Sequence, residues 1–162
     1  MLMLALMLAA APQPQAYLGI SAGPVLLRES GRPGTGNGPM VRLELGVPVA
    51  DRFGAEVWLT GAMESAPAGA PGDRALLGAG VGGRFLVARA GSEDSFGFWL
   101  HGGAGWGAPI AGDGAHGPTG FGGALVTFQP FVKRFTIGLE ADAVAWRRTF
   151  GLAVLPSLRC AF

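Results

Sequence analysis

Apolar and polar residues alternate along much of this chain after about its first 16 residues. In the stretch VRLELGV, residues 41–47, apolar side chains occupy every second position, and Arg42 and Glu44 lie between them. A period of two residues is typical of a β-strand whose two faces meet different surroundings. The alternation predicts a strand here, but taken alone it does not tell which face points into the protein.

The same pattern, interrupted by segments rich in Gly, Pro, Asp and Ser, predicts eight strands and no helix. The predicted strands are residues 17–27, 40–49, 53–62, 75–87, 96–107, 120–131, 135–146 and 150–162. A tilted strand needs ~9–11 residues to cross a bilayer, and these segments are of that size. Short turns alternate with longer loops, apart from a short last connection at 147–149. Such an order is typical of an antiparallel up-and-down meander.

The two faces of the predicted strands differ in bulk and in charge. One face carries Val, Leu, Ile and Phe without a charge in mid-strand, whereas the other is mostly glycine with three tryptophans and a few charged residues. The interior of an eight-stranded barrel is just wide enough for side chains to fill it. We therefore expect the bulky apolar face outside, against lipid. In the sixth strand, Val126 and Phe128 are assigned to this outer face, and Thr127 and Gln129 to the inner face.

The inner face collects charged residues that we expect to pair with one another inside the barrel. They are Arg42, Glu44, Glu56, Arg84, His101, Glu140, Asp142 and Arg159. Pairing is expected because an unpaired buried charge costs several kcal/mol. The alternative is a narrow polar path for ions, for which eight strands and three lumen tryptophans leave little room.

Aromatic residues lie near the ends of the predicted strands. If the N-terminus is periplasmic, the periplasmic strand ends carry Phe53, Phe85, Phe96, Phe128, Phe135 and Phe162, and the outer ends carry Trp106 and Phe150. Two aromatic girdles around an aliphatic band are typical of the lipid-facing surface of a membrane barrel.

Composition agrees with a membrane environment. Only 14% of the residues are charged and 49% are hydrophobic, whereas a typical soluble domain has about 25% charged residues. The net charge of +1, with both signs interspersed, argues against nucleic-acid binding. The single cysteine, Cys160, excludes an internal disulfide and a cysteine metal cluster.

The first residues, MLMLALMLAAAPQPQA, form a short apolar run followed by small residues. This run has the length of a signal-peptide core and is too short to span a bilayer. We predict a signal peptide over residues 1–16, cleaved after Ala11 or near Ala16, and a barrel over residues 17–162. The alternative is a buried hydrophobic N-terminal segment.

With these strands, girdles and the C-terminus LAVLPSLRCAF, the chain resembles the small eight-stranded OmpA/OmpX-type outer-membrane β-barrels of Gram-negative bacteria. In that family a final aromatic after alternating apolar positions is the signal for the outer-membrane insertion machinery, which here implies Leu158, Cys160 and Phe162. The resemblance implies an all-β, eight-stranded antiparallel transmembrane barrel. It also implies a monomer in the outer membrane, in contact with lipid and lipopolysaccharide and without a cofactor.

Two motifs that suggest other chemistry have simpler explanations. GAGVGG, residues 78–83, matches G-x-G-x-x-G, but a dinucleotide site needs a following helix, and RFLVARAG predicts the end of a strand. His101 is a candidate metal ligand or general base. Because the only other histidine, His116, lies in a predicted loop, we expect His101 to pair with Glu140 or Asp142 instead.

Three functions stay open at this point. The first is a non-enzymatic outer-membrane barrel with a lumen plugged by charged side chains and a role in envelope structure or surface interaction. The second is a soluble periplasmic lipid-binding barrel with the two faces inverted. The third is a lipid A-modifying enzyme, for which Asp113, His116 and Thr119 are the loop candidates. Arg147 and Arg148, at the outer end, are candidates to meet lipopolysaccharide phosphates.

Overall fold

The computed structural model describes residues 15–31, 34–66, 72–91, 95–112, 116–130 and 134–162. The strands are β1 (Tyr17–Glu29), β2 (Gly36–Ala50), β3 (Phe53–Glu64), β4 (Arg74–Ala90), β5 (Phe96–Ala111), β6 (Gly117–Phe128), β7 (Phe135–Trp146) and β8 (Thr149–Ala161). Each strand pairs antiparallel with the next, and β8 pairs with β1 to close the barrel. The predicted eight-stranded meander is confirmed. Within the described ranges, no helix is long and apolar enough to cross a membrane.

The strand ends differ from the predicted ones, mostly because the strands continue toward the connections. We call the end with connections 30–35, 65–73, 112–116 and 147–148 the outer end, and the opposite end the periplasmic end. At the outer end β2 begins at Gly36 and β5 continues to Ala111. An isolated bridge between Asn37 and Ser65 extends the contact between β2 and β3 still further.

The sixth strand is shifted from its predicted position and ends at Phe128. Gln129 is therefore exposed outside the strand, and its assignment to the inner face is wrong. Pro130 has no N–H to donate to a ladder, which favours a strand end before it. The assignments of Thr127 to the inner face and of Val126 and Phe128 to the outer face agree with the structure: Thr127 is 7% exposed, and the other two are 41% and 38% exposed.

The strand that contains VRLELGV shows which face is inside. Val41, Leu43 and Leu45 are between 42% and 47% exposed on the barrel exterior, whereas Arg42 and Glu44 are 0% and 2% exposed in its interior. This is the reverse of a soluble barrel, in which apolar side chains fill the interior. The alternative of a soluble lipid-binding barrel with inverted faces is therefore wrong.

The interior contains a hydrophobic cluster toward the outer end that the sequence analysis did not predict. The members of this apolar layer are Val25, Leu27, Met40, Trp58, Ala62, Leu76, Phe121, Val144, Trp146, Ala153 and Leu155. The rings of Trp58 and Phe121 meet edge to face, with centroids 5.5 Å apart. Several of these residues lie on strands with apolar residues on both faces, such as β1, where alternation of polarity gives no signal.

Glycines in β4 and β5 make room for the large side chains of the interior. A Cβ added at Gly80 would lie 2.7 Å from the Trp58 ring and 2.7 Å from the Cα of Gly105, closer than any real contact. GAGVGG continues as part of β4, and no helix follows it in the described part of the chain. The motif therefore serves packing in a narrow barrel.

Candidate functional site

The charged residues of the interior form a layer below the apolar layer, toward the periplasmic end. Arg42 from β2 contacts two carboxylates of β7, its Nη1 donating to Glu140 Oε2 at 3.0 Å and to Asp142 Oδ2 at 2.8 Å. The three side chains are fully buried. Barrel closure brings Arg42 to partners about a hundred positions away in sequence.

Arg159 of β8 provides the second guanidinium group of this charged layer. Its Nε and Nη2 donate to Glu44 Oε2 at 3.2 and 3.0 Å, and Nη2 also donates to Glu140 Oε1 at 3.0 Å. Glu140 thus bridges Arg159 and Arg42, one carboxylate oxygen to each. Bridging of this kind spreads charge over several partners and offsets part of the cost of burial.

His101 of β5 joins the charged layer to the apolar one. Its Nε2 lies 2.7 Å from Asp142 Oδ1, one of the two partners that the sequence analysis proposed. The imidazole ring also meets the Phe121 ring edge to face at 5.3 Å. The Arg42 guanidinium lies over the Phe121 ring, 3.7 Å from its centre, a distance at which cation–π attraction is favourable.

Glu56 and Arg84 do not pair with the other charges as the sequence analysis expected. Glu56 Oε2 accepts a hydrogen bond of 2.7 Å from the hydroxyl of Tyr17. Arg84 lies over the Tyr17 ring at 3.9 Å and near Trp99 at 4.9 Å. Among the described residues no carboxylate lies within ion-pair distance of Arg84. Cation–π contacts of Arg84 with these two rings replace the expected ion pair.

A second ionic group, missed by the sequence analysis, lies at the outer end. Arg74 donates through Nε to Glu64 Oε2 at 2.8 Å and through Nη1 to Glu29 Oε2 at 2.8 Å, and its Nη2 also contacts Glu64. The predicted strands end before Glu64 and begin after Arg74. The sequence does contain a signal for Glu64. Every second residue of β3 points inward, and this pattern runs from Thr60 through Ala62 to Glu64.

Beside this group an open cleft of about 180 Å³ faces the outer side of the barrel. Arg147 and Arg148, which join β7 to β8, line it together with Trp146 and Arg74. Both turn arginines are exposed. Arg147 has a φ of 47°, in the left-handed region that residues other than glycine rarely adopt.

The residues considered for catalysis do not form a site in the described part of the chain. Asp113 lies outside the described residues. Thr119 is buried, and its hydroxyl donates to the carbonyl oxygen of Ala145 at 2.8 Å. His116 packs against the ring of Trp106, 6.2 Å between centroids. The threonine and the histidine thus have separate surroundings.

The exterior carries an aliphatic belt between aromatic side chains. At the periplasmic end, Phe53 is the register partner of Phe85, and Phe96 that of Phe128, with the latter two rings 5.0 Å apart. The exposed aromatic residues toward the two ends include Phe53, Phe85, Phe96, Phe128, Phe135 and Phe162, and Trp106 and Phe150. An uncovered apolar surface of this size needs lipid as its solvent.

The C-terminal residues complete the barrel wall. Leu158 is exposed on the exterior, Cys160 is half-buried, and Phe162, one residue beyond β8, is 67% exposed. The backbone N–H of Phe162 donates to the carbonyl oxygen of Ala16 at 2.9 Å, so Phe162 extends the pairing of β1 and β8 by one hydrogen bond.

Solved structures share this architecture along nearly the whole chain. Ail, the attachment invasion locus protein of Yersinia pestis, superposes with a TM-score of 0.63 at 13% identity, over 93% of this chain and 100% of Ail. Neisserial surface protein A gives 0.69 at 12% identity, over 91% and 97%. OprG of Pseudomonas aeruginosa gives 0.55 at 10% identity, over 91% and 94%. The fold is that of a small outer-membrane barrel.

The outer-membrane barrel fold and the exposed apolar belt identify an integral protein of the outer membrane, as the OmpA/OmpX-type resemblance predicted. No protein-family model matches the chain, and no curated protein matches it. The three barrels are only 10–13% identical to this chain, so the likeness shows a shared fold and none of their activities. The features particular to this outer-membrane barrel lie in its interior and at its outer end.

Proposed function

We propose that this protein is a non-enzymatic outer-membrane barrel whose lumen is closed by its own side chains, with a role in envelope structure or surface interaction. The observation that carries the proposal is the stacking of a charged layer and an apolar layer across one narrow lumen. Between Arg42, Trp58, Phe121 and Trp146 the described residues leave no volume for a water molecule. A path for ions would have to pass both layers.

Planar-bilayer recording tests the closed lumen. Wild-type protein, shown to be folded by different migration in unheated and heated SDS gels, is expected to give no stepwise conductance. The double variant Trp58→Ala, Phe121→Ala is the control, because it removes the aromatic pair that fills the apolar layer. If the wild type gives stepwise conductance of the same size as this variant, the lumen is open and the proposal is wrong.

The absence of enzymatic activity is part of the proposal and has its own test. Lipid A from cells with and without the protein is compared by mass spectrometry, together with the variant His116→Ala. We expect the same acylation pattern in all samples, because Thr119 and His116 are engaged in separate packing contacts. A change in acylation that depends on His116 would establish the lipid A-modifying alternative.

We also propose that Leu158, Cys160 and Phe162 act as the insertion signal for the outer-membrane assembly machinery. The position of Phe162 at the junction of the two barrel termini supports this role. Deleting the Phe162 ring in Phe162→Ala should reduce the assembled fraction in outer membranes several-fold. Phe150→Ala, which removes a similarly exposed ring from the other girdle (59% against 67% for Phe162), should assemble as the wild type does. Equal assembly of both variants would contradict the role of these residues as the insertion signal.

A second candidate function rests on the cleft at the outer end. We propose that Arg147 and Arg148 bind phosphate groups of lipopolysaccharide, since both guanidinium groups are exposed beside an open cleft and are suited to phosphate geometry. One solved barrel of similar fold, Ail, was crystallised with the heparin analogue sucrose octasulfate, also a polyanion.

Binding of purified lipopolysaccharide by the double variant Arg147→Ala, Arg148→Ala tests this second function. We expect a several-fold weaker affinity and a weaker dependence on salt. The matched control is Arg52→Ala, Arg134→Ala, which removes two exposed charges from the periplasmic end. Equal losses in both variants would mean that general charge, and not the outer cleft, governs binding.

A further inference from the structure

We propose that the barrel interior holds a divalent transition-metal cation of the zinc type, bound by Glu44, Glu56 and His101. These residues come from β2, β3 and β5, and each offers one ligand atom, all within 4.8 Å of one another. Imidazole and carboxylate are common zinc ligands, with metal–ligand distances of about 2.0–2.2 Å. Small side-chain rotations would bring such a set to a shared ion.

The unused atoms of these three side chains point to an occupant. Glu44 Oε1, Glu56 Oε1 and His101 Nδ1 are buried and have no hydrogen-bond partner among the described residues, and Glu44 Oε1 has only a longer ion-pair contact with Arg42 Nη1, at 3.9 Å. Their residues are only 2%, 4% and 7% exposed. Leaving buried polar atoms without partners is costly, so one such atom on each of the three residues favours an ion or water among them.

The second atom of each proposed ligand is already held in place. Arg159 binds Glu44 Oε2, and the Tyr17 hydroxyl binds Glu56 Oε2. Asp142 lies 2.7 Å from His101 Nε2; a proton on Nε2 leaves the lone pair of the neutral ring on Nδ1. A carboxylate that orients a histidine in this way is the usual outer partner of a metal-binding imidazole.

A neighbouring set of three residues has the same spacing but no free carboxylate oxygen. His101, Glu140 and Asp142 also bring three ligand atoms within 4.8 Å. Both oxygens of Glu140 accept hydrogen bonds from arginines, and Asp142 binds Arg42 and His101. No free atom remains on these two carboxylates, so this set serves the ion pairs and not a metal.

Charge balance and backbone geometry favour the same site. The four carboxylates of the interior layer, Glu44, Glu56, Glu140 and Asp142, face three guanidinium groups, which leaves one negative charge while His101 is neutral. Gly82 on β4 is the register partner of Glu56 and adds no side chain there, whereas Arg84, two residues further on β4, is the register partner of His101. The competing occupant is a proton on His101 together with water.

The test uses the full barrel, refolded from urea into detergent micelles, because the buried site is accessible while the chain is unfolded. Refolding takes place with zinc chloride or with EDTA, in a background carrying Cys160→Ser and His116→Gln to remove other soft donors. After gel filtration, elemental analysis is expected to find about one zinc per folded chain, with folding coupled to metal binding. Cobalt in place of zinc should give the visible absorption of a tetrahedral site.

The variant Glu56→Gln removes one proposed ligand and keeps an oxygen for the Tyr17 hydroxyl. We expect its zinc affinity to fall by at least ~10-fold. Glu64→Gln, the same change in a buried carboxylate of the outer ionic group, should retain zinc. The proposal is overturned if the folded parent chain retains no zinc, whatever the variants do, or if Glu56→Gln binds as much as Glu64→Gln. In the first case, water or a protonated His101 occupies the site.

Discussion

The exterior and the interior of the barrel are built from the same strands but follow different rules. On β2, Leu43 lies in the exposed apolar belt, whereas the adjacent Arg42 makes two charge-assisted hydrogen bonds to β7. Many apolar side chains would satisfy lipid at position 43. Position 42 needs a long, positively charged side chain, because Arg42 Nη1 donates to both Glu140 and Asp142. The exterior is thus specified by polarity alone, and the interior by the identity of each partner.

The largest expected effect comes from breaking the interior at its most connected residue. Arg42→Ala leaves Asp142 with only His101 and removes one of the two partners of Glu140. Deleting one partner of a buried ion pair typically costs about 3–5 kcal/mol. We expect a loss of this size in urea unfolding in lipid vesicles. A loss below about 1 kcal/mol, the usual upper value for exposed pairs, would mean that the interior charges are effectively solvated.

The exterior should respond to charge and not to shape. Leu43→Arg puts a guanidinium group at the centre of the apolar belt and should cost about 2–4 kcal/mol, with a smaller inserted fraction. Leu43→Ile keeps the polarity and should change stability by less than about 0.5 kcal/mol. The same urea titration measures both variants. A similar stability for the two would contradict a lipid-facing position 43.

A milder change to the interior separates charge from hydrogen bonding. Glu44→Gln keeps an acceptor for Arg159 but removes the negative charge, and Arg159 still has Glu140. We expect a loss of about 1–3 kcal/mol, the range for a weakened buried partner. Measurement in EDTA keeps metal binding out of the comparison. If the loss exceeds that of Arg42→Ala, Arg42 is not the most important charged residue of the interior.

The smallest effect concerns the turn between β7 and β8, which belongs to neither face. Arg147 has a φ of 47°, a conformation that costs a non-glycine residue about 1–3 kcal/mol. Arg147→Gly should therefore raise the free energy of unfolding by roughly 1 kcal/mol, while it weakens lipopolysaccharide binding. Arg148→Gly lacks this gain, because Arg148 has a negative φ. Destabilisation by Arg147→Gly would show that the guanidinium group stabilises the turn.

Strand number, strand order and face followed from alternation, because a period of two is a local property of the chain. The partners inside the barrel did not, because they depend on register between distant strands. Arg42 and Asp142, and Glu44 and Arg159, are separated by 100 and 115 positions. For the same reason the stacking of Arg84 on Tyr17 could not be read from either strand alone.

Two interior features have a weak signal in the sequence. Glu29, Glu64 and Arg74 of the outer ionic group lie beyond the predicted strand ends, where Gly, Pro and Ala become frequent. Val25, Leu27 and Leu155 of the apolar layer lie on strands that are apolar on both faces. Where both faces of a strand are apolar, the sequence pattern does not show which face lies against lipid and which packs inside the barrel.

The assignment of faces is tested most directly by the native tryptophans. Trp106 is 60% exposed on the exterior, Trp58 and Trp146 are 3% and 6% exposed in the interior, and Trp99 hydrogen-bonds to Thr127 on the inner side. Fluorescence in vesicles of acyl-chain-brominated lipid reports which indoles touch lipid. We predict partial quenching of the wild type and almost none in Trp106→Phe. Undiminished quenching in Trp106→Phe would place the other tryptophans in lipid and contradict the account.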